Sequence, residues 1–374
     1  HSQILPNGTL EVFYGDGGGF TIGDRRSTYS NTGQAFSNWV HCAYVVNSAV
    51  SASIYANGVL MGTYTAGTGG SYYQNPNGNG AFARLLTNVG WDYLVGELDD
   101  FTIWDKALTA NEIRDLVCRK TPGSASQLLG YFNFDTQVSN QIFDSSPNAH
   151  TGAFVGTVTM PNSGAAIGDT SHYYYAGAYV GFSTVLTTGQ AIDVSNITSG
   201  SNGVQIYEVF STPNSLLGLP SSALAQNYFG VFLAITDNAT KSYTLRLGNF
   251  AGKQLYKRDA NDDLTWSLVN PTSVVGGLAT FPTEQLRQEY IIVSTAKCRT
   301  DLGSDIDTCF PASFWLKDNF YHPSKNYSWS TGSTADSILI TSPGTYSVQM
   351  DSAGCVKNDT IIVSTKSIKV DLRS

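Results

Sequence analysis

The residues most open to chemistry are the carboxylates of the stretch Gly96-Glu97-Leu98-Asp99-Asp100. On an extended strand Glu97 and Asp99 share one face, because side chains alternate with period two. Two carboxylates held roughly 5–5.5 Å apart are what a retaining glycosidase uses, one as nucleophile and one as acid and base. The next carboxylate, Asp105, falls out of register with that face, so no complete hydrolytic set is assembled. The five histidines, His1, His41, His150, His172 and His322, form no i, i+4 pair and no cysteine-partnered spacing, which argues against a zinc site. His41 alternates with strand neighbours and reads as a packing residue with its polar atoms satisfied. The run Gly15-Asp-Gly-Gly-Gly19 lacks the helix and lysine that a phosphate cradle requires, and reads as a loop between strands.

The elements that must position these carboxylates surround them. Leu98, Phe101, Ile103 and Leu108 predict a strand that buries one face. Thr109 is placed as an N-cap with Glu112 three residues on, the capping-box spacing. Ile113, Leu116 and Val117 then follow at helical spacing. A single short capped helix after a strand series is expected to plug the open end of a sheet sandwich. Upstream, 36–46 is a strand rich in aromatic and β-branched residues. Ala52–Ala56 and Val59–Gly62 are joined by Asn57-Gly58, the strongest short hairpin signal.

Composition points the same way. Of 374 residues only 13% are charged, against roughly 25% in an average globular domain. Glycine (37) and tyrosine (21) are abundant, and short β runs recur between turn signals. That pattern predicts an all-β chain of tandem β-sandwiches, and the length predicts two to three domains. The net charge of −8 with no basic stripe excludes nucleic acid and anionic membrane surfaces as natural partners. No run of 18 apolar residues is present, so no membrane insertion is expected. Five cysteines are too few for a disulfide scaffold but suit one or two bridges in an exported protein. Cys309 and Cys355 flank an immunoglobulin-sized segment and are the best pair; closing that loop would contribute ~4 kcal/mol in the chain-entropy model. Cys42 and Cys118 either pair or stay as buried thiols, and Cys298 is left over.

The set "W-x-x-x-A", "I-Y-x-N-G" and "G-x-L-D-D-x-x-I-W-x-x-A-L-T-x-x-E-I", found in order over about residues 10–118, resembles the laminin-G-like, pentraxin-like jelly roll of the concanavalin A-type superfamily. Residues 128–160, with Tyr131, Phe134, Asp144 and Asn148, look like the segment that closes such a sandwich. After about residue 165 the texture changes to a second β-sandwich. Residues 299–366, with Cys309, Tyr327-Ser-Trp329 and Gly344-Thr-Tyr346, resemble PKD or Ig-like repeats. The expected architecture is therefore a jelly roll over 1–163, short of its first strands at the N-terminus, a second sandwich over 164–297 and an Ig-like domain over 298–374. Tandem modules of this kind resemble those of Bacteroidetes surface proteins exported by the type IX system, which implies an extracellular, cell-surface location for a piece of a larger protein.

The resemblance implies binding more than catalysis. Laminin-G-like domains often hold calcium at a sandwich rim, and Asp16, Asp99, Asp100 and Asp144 are the carboxylates that could supply it. Calcium needs six to eight oxygen ligands, so loop carbonyls would complete the shell. A structural role for Asp99 and Asp100, bonding backbone at the strand-to-helix corner, fits the same residues. Tyr72 and Tyr73, in a Gly- and Asn-rich loop, suit sugar recognition by stacking and hydrogen bonding, although an ordinary surface loop has the same composition. The expectation is a non-catalytic adhesin, or a filament- or surface-layer-building protein, whose jelly roll binds a glycan or a surface protein. Exposed sandwich edges would permit self-association. The competing reading is a secreted glycoside hydrolase or its carbohydrate-binding accessory region.

Overall fold

The computed structural model describes residues 2–5, 7–15, 25–30, 38–65, 84–87, 90–138, 140–175, 181–220, 227–237, 240–294, 300–308, 313–320, 326–352 and 355–365. The chain is an all-β protein with one α-helix among those residues. No described helix is long and apolar enough to cross a membrane. It divides into two compact units. The first takes 1–218, 226–251 and 255–292; the second takes 293–374 together with 219–225 and 252–254.

The first unit opens with β1 (Ser2–Ile4), β2 (Leu10–Gly15), β3 (Arg25–Tyr29), β4 (Cys42–Ser48), β5 (Ser51–Ala56), β6 (Val59–Thr65), β7 (Arg84–Thr87), β8 (Gly90–Tyr93) and β9 (Phe101–Trp104). Then come α1 (Ala110–Leu116), β10 (Leu128–Phe132), β11 (Gln137–Val138), β12 (Gln141–Phe143) and β13 (Thr151–Ala153). Strands β1-β2-β3 and β4-β5-β6 form antiparallel meanders, and Leu10, Val12, Ala52, Ile54 and Met61 bury a common core between them. The β5–β6 turn is the predicted two-residue hairpin: Ala56 pairs with Val59, and Asn57 and Gly58 both have positive φ (50° and 77°). That is the backbone a type I′ turn requires. β10 returns beside β9, with Phe132 opposite Phe101.

The capping box forms as expected. The Thr109 hydroxyl accepts from the Glu112 N–H at 3.3 Å, and the Glu112 carboxylate accepts from the Thr109 N–H at 2.8 Å. Glu112 also receives Lys106 Nζ at 2.6 Å, and these donors hold its carboxyl down at about 2. The strand before it is shorter than predicted. Residues 94–100 are not strand, and Leu98 and Ile103 are 38% and 41% exposed, because β9 sits in a two-stranded ribbon rather than inside a broad sheet.

Eleven strands follow, β14 (Thr170–Tyr175), β15 (Gly181–Val185), β16 (Ala191–Ser195), β17 (Gly203–Val209), β18 (Tyr228–Ala234), β19 (Ser242–Leu247), β20 (Lys253–Arg258), β21 (Ser267–Val269), β22 (Ser273–Val275), β23 (Leu278–Gln285) and β24 (Arg287–Ser294). They make a six-stranded sheet, β14-β17-β18-β24-β20-β21, facing a five-stranded sheet, β15-β16-β19-β23-β22. Val204, Ile206, Val231, Leu233, Tyr243, Leu245, Leu247 and Tyr290 fill the space between. Between β20 and β21, Thr265 forms an isolated bridge to Leu217. Trp266 is buried there against Arg258, whose guanidinium lies 4.6 Å from its ring and pairs with Glu289 at 2.7 Å.

β17 and β18 are buried on both faces. One face meets the five-stranded sheet, and the other is covered by the helix and hairpin of the first module. Tyr175 Oη donates to the Asn57 carbonyl at 2.8 Å, and Asn57 Nδ2 donates to the Ile235 carbonyl at 2.9 Å. Gln205 Nε2 donates to the Arg114 carbonyl at 2.8 Å, and Arg114 lies 4.7 Å from the Tyr175 ring. The helix is thus a wedge between β6 and β14 rather than a plug in an open sandwich end.

The second unit contains β25 (Ile306–Thr308), β26 (Phe314–Lys317), β27 (Asn326–Trp329), β28 (Ser337–Ile340), β29 (Gly344–Ser352) and β30 (Cys355–Thr365). A four-stranded sheet, β25-β30-β29-β27, and the pair β26-β28 enclose Leu316, Trp329, Ile338, Ile340, Val348, Met350, Ile361 and Val363. Tyr346 packs against this core and donates its hydroxyl to the Ser342 carbonyl at 2.9 Å. No disulfide occurs among the described residues, and Cys42 and Cys118 are free thiols. Cys298 and Cys309 lie outside the described residues. His41 differs from expectation: its ring Nδ1 is buried with no hydrogen-bond partner among the described residues, and burial lowers its pKa to about 4.

Candidate functional site

The β9–β10 ribbon determines where the carboxylates gather. Its register ends at the Phe101–Phe132 pair. Asp99 and Asp100 therefore enter β9 at the same end at which Asn133–Asp135 leave β10. Asp100 has a left-handed backbone (φ 48°), which turns the chain into the strand. Its N–H donates to the Asp99 carboxylate at 2.9 Å, and its own carboxylate accepts a short bond from the Tyr131 hydroxyl. The Ser163 hydroxyl lies close enough to Asp99 to favour its charged form.

Electrostatics single this cluster out. Burial raises the Asp100 carboxyl from an ordinary 3.8 to about 7; the Asp99 and Asp135 charges add to the rise, while the Tyr131 hydroxyl and Lys120 oppose it. Asp99 is raised in the same way, by burial first, with Asp135 adding to it and Ser163 opposing. Burial and the adjacent Asp100 push the Tyr131 phenol up as well. Asp99 and Asp100 thus sit side by side at one ribbon end, with Asp135 and Lys120 near enough for their charges to act on both. Strongly shifted carboxylates with a defined charge environment are typical of ligand and catalytic sites.

The other predicted residues are placed differently. Glu97 is exposed and lies in non-strand backbone ahead of β9, so the period-two pairing with Asp99 does not arise. Asp144 is buried and committed to its own turn. Its Oδ1 accepts from the N–H groups of Tyr131 and Ser146, both at 2.8 Å, and its Oδ2 from Ser146 Oγ and the His150 N–H. Burial would raise this carboxyl, but the donors hold it at about 2. His150 Nδ1 also lies 3.1 Å from Oδ2. Ser146, His150 and Asp144 have the residue types of a hydrolytic triad without its geometry, because the serine donates to the aspartate and not to the imidazole. Asp16, Tyr72 and Tyr73 lie outside the described residues.

Calcium fits the described side chains poorly. They contain no group of three His, Cys, Asp or Glu arranged to hold a metal ion. A carboxylate has about four lone-pair sites, and those of Asp144 are taken by the turn. Tyr131, Asp135, Lys120 and Ser163 were not singled out as site residues by sequence. The usable signal was indirect, since Tyr131 and Asp135 lie in the segment that closes the jelly roll, and closure against β9 puts them beside Asp99-Asp100.

Residues 2–114 match the family model of the concanavalin A-like lectin/glucanases superfamily. No curated protein matches the chain. The matched region spans β1 through most of α1 and includes Asp99 and Asp100.

Proposed function

We propose that the chain is a non-catalytic, extracellular surface protein whose jelly roll binds glycans at the Asp99–Asp100–Asp135 end of the β9–β10 ribbon. The observation that carries this reading is Asp100: a carboxylate held where its charge is penalised, beside two others, in a region similar to lectins and glucanases. Folding alone gains nothing from that crowding. Sugar hydroxyls donating to the carboxylates would relieve it, with Lys120 and the Tyr131 hydroxyl as further polar contacts. Surface attachment, self-assembly of modules and the Ig-like reading of the second unit belong to the same proposal. They rest on the serial sandwich architecture.

A second reading has one observation in its favour. A carboxyl titrating near 7 beside a second carboxyl is also how a glycosidase prepares a general acid. A glycan array with the full chain separates the two. Retention of a glycan without product, lost in Asp100→Asn and unchanged by EDTA, is the expected result. Release of shortened oligosaccharide would establish the hydrolase instead. Loss of binding on chelation would reassign the aspartates to a cation.

A further inference from the structure

The outer face of the five-stranded sheet carries a groove that the jelly-roll site does not use. Along β15, β16, β19 and β23 the inward residues Ile192, Val194, Leu245, Leu247, Ala279 and Phe281 are buried, so the alternating residues face out. Two outward rows lie side by side across these strands. One is polar: Ser183 pairs in register with Asp193, Asp193 with Arg246, and Arg246 with Thr280. The other is apolar and small in the middle, with Val185 opposite Ala191, then Gly248 and Leu278. The groove between them has a volume of about 350 Å³, inside the usual range for small-molecule sites. Four strands at about 4.8 Å spacing make it roughly 14 Å across.

Its floor depends on Gly248. A Cβ there would lie 3.2 Å from the Ala191 Cβ, so a side chain at 248 would crowd the floor beside Ala191. Val185 (58% exposed) and Leu278 wall the two sides. In the polar row Ser183 Oγ donates to Asp193 Oδ1 at 2.6 Å and Arg246 Nε donates to Asp193 Oδ2 at 2.7 Å. The pair is partly exposed to solvent, and an ion pair at such a surface adds little to stability.

We infer that this trough is a second saccharide-binding site, for a neutral sugar laid with its C–H face on Ala191 and Gly248 and its hydroxyls against Asp193 and Arg246. The opposite charges cancel, so an anionic or cationic ligand gains nothing from the pair. A vicinal diol is donor and acceptor at once, and matches a carboxylate beside a guanidinium. An extended peptide is the poorer fit, since strand addition needs an unpaired edge. The unpaired edge of this sheet next to the trough is the far side of β15, whereas the trough lies on the face over β16 and β19, each paired on both sides. The site is independent of the acidic cluster on β9–β10.

The test is isothermal titration of the full chain in the Asp100→Asn background, so that the jelly-roll site is silenced. The probes are laminarihexaose, cellohexaose, xylohexaose, mannohexaose and chitohexaose, with a hexaglutamate peptide as the anionic comparison. At least one neutral hexasaccharide should bind. Ala191→Leu, which fills the floor, and Asp193→Asn, which removes the acceptor charge, should each weaken it about tenfold or more, the loss of one good polar contact or of the packing surface. If Ala191→Leu fails to fold, Arg246→Lys takes its place, with the thermal midpoint as the check. No binding by any hexasaccharide, binding indifferent to these substitutions, or binding of hexaglutamate alone would each overturn the assignment. An Asp100→Asn chain that still binds through the trough, while the parent shows no other site, would sink the jelly-roll proposal and leave this one standing.

Discussion

Replacing Asp100 by asparagine should make the protein more stable, by an amount that grows with pH between the ordinary and the raised titration points of this carboxyl and then levels off. The Asp100 carboxyl is raised from 3.8 to about 7 in the fold, by burial first and by Asp99 and Asp135 next. A raised folded value means that the folded state favours the protonated form. The penalty is therefore absent below 3.8, grows as pH rises from 3.8 to about 7, and is constant above that. About three pKa units at ~1.4 kcal/mol each set a ceiling of ~4 kcal/mol. Water entry and relaxation at a half-buried group bring the observable part to roughly 2 kcal/mol. Asparagine keeps an oxygen to accept from Tyr131 and tolerates the left-handed backbone at this position (φ 48°). Urea unfolding followed by tryptophan fluorescence, at pH 4 and pH 8, reads the difference in the transition of the first unit. The variant should match the parent at pH 4 and exceed it by roughly 2 kcal/mol at pH 8. A variant equal to or weaker than the parent at pH 8, or a gain that does not change with pH, would refute the reasoning. Together with lost glycan binding, the gain would show a functional carboxylate retained against stability.

Two further substitutions test the framework around the site. Gly58→Ala should destabilise the first unit by about 2–3 kcal/mol, because φ is +77° and the new Cβ would come within 2.7 Å of the Tyr175 hydroxyl; the denaturation midpoint checks it, and a shift below about 0.5 kcal/mol would disprove the wedge. Asp144→Ala should cost about 3 kcal/mol at neutral pH, since it strands the donors of Tyr131, Ser146 and His150. The Asp144 carboxyl is depressed to about 2, so its stabilisation is present above the ordinary 3.8 and is lost as pH falls from there through about 2. The parent and variant curves should converge below pH 2.

The relation between sequence and structure is clearest around the helix. Asn57-Gly58, Thr109 with Glu112, and the all-β texture were legible because each depends on a few neighbouring residues: a turn that needs positive φ, a cap that closes within one helical turn, a period of two. The concanavalin A-like match over 2–114 covers the stretch in which these local signals lie. Burial on the strand around 98–108 was misread, because whether Leu98 and Ile103 are covered depends on how many strands flank β9, and no periodicity encodes that. The carboxylates Asp99 and Asp100 are visible in the sequence, but their long-range neighbours are not. Glu97 and Asp99 looked paired on the assumption of a strand, whereas Asp135 and Tyr131, more than thirty positions downstream of Asp99, are the true companions of Asp100. The β10 return across the β9 register brings them there. Likewise the capped helix and its apolar stripe follow from neighbouring residues, whereas the surface the helix packs on comes from distant ones. Gln205 and Tyr175, both far along the chain, supply that surface. Local geometry is written in adjacent residues; the company a side chain keeps across a sheet is decided by long-range pairing, and with it the charge that a buried carboxyl can bear.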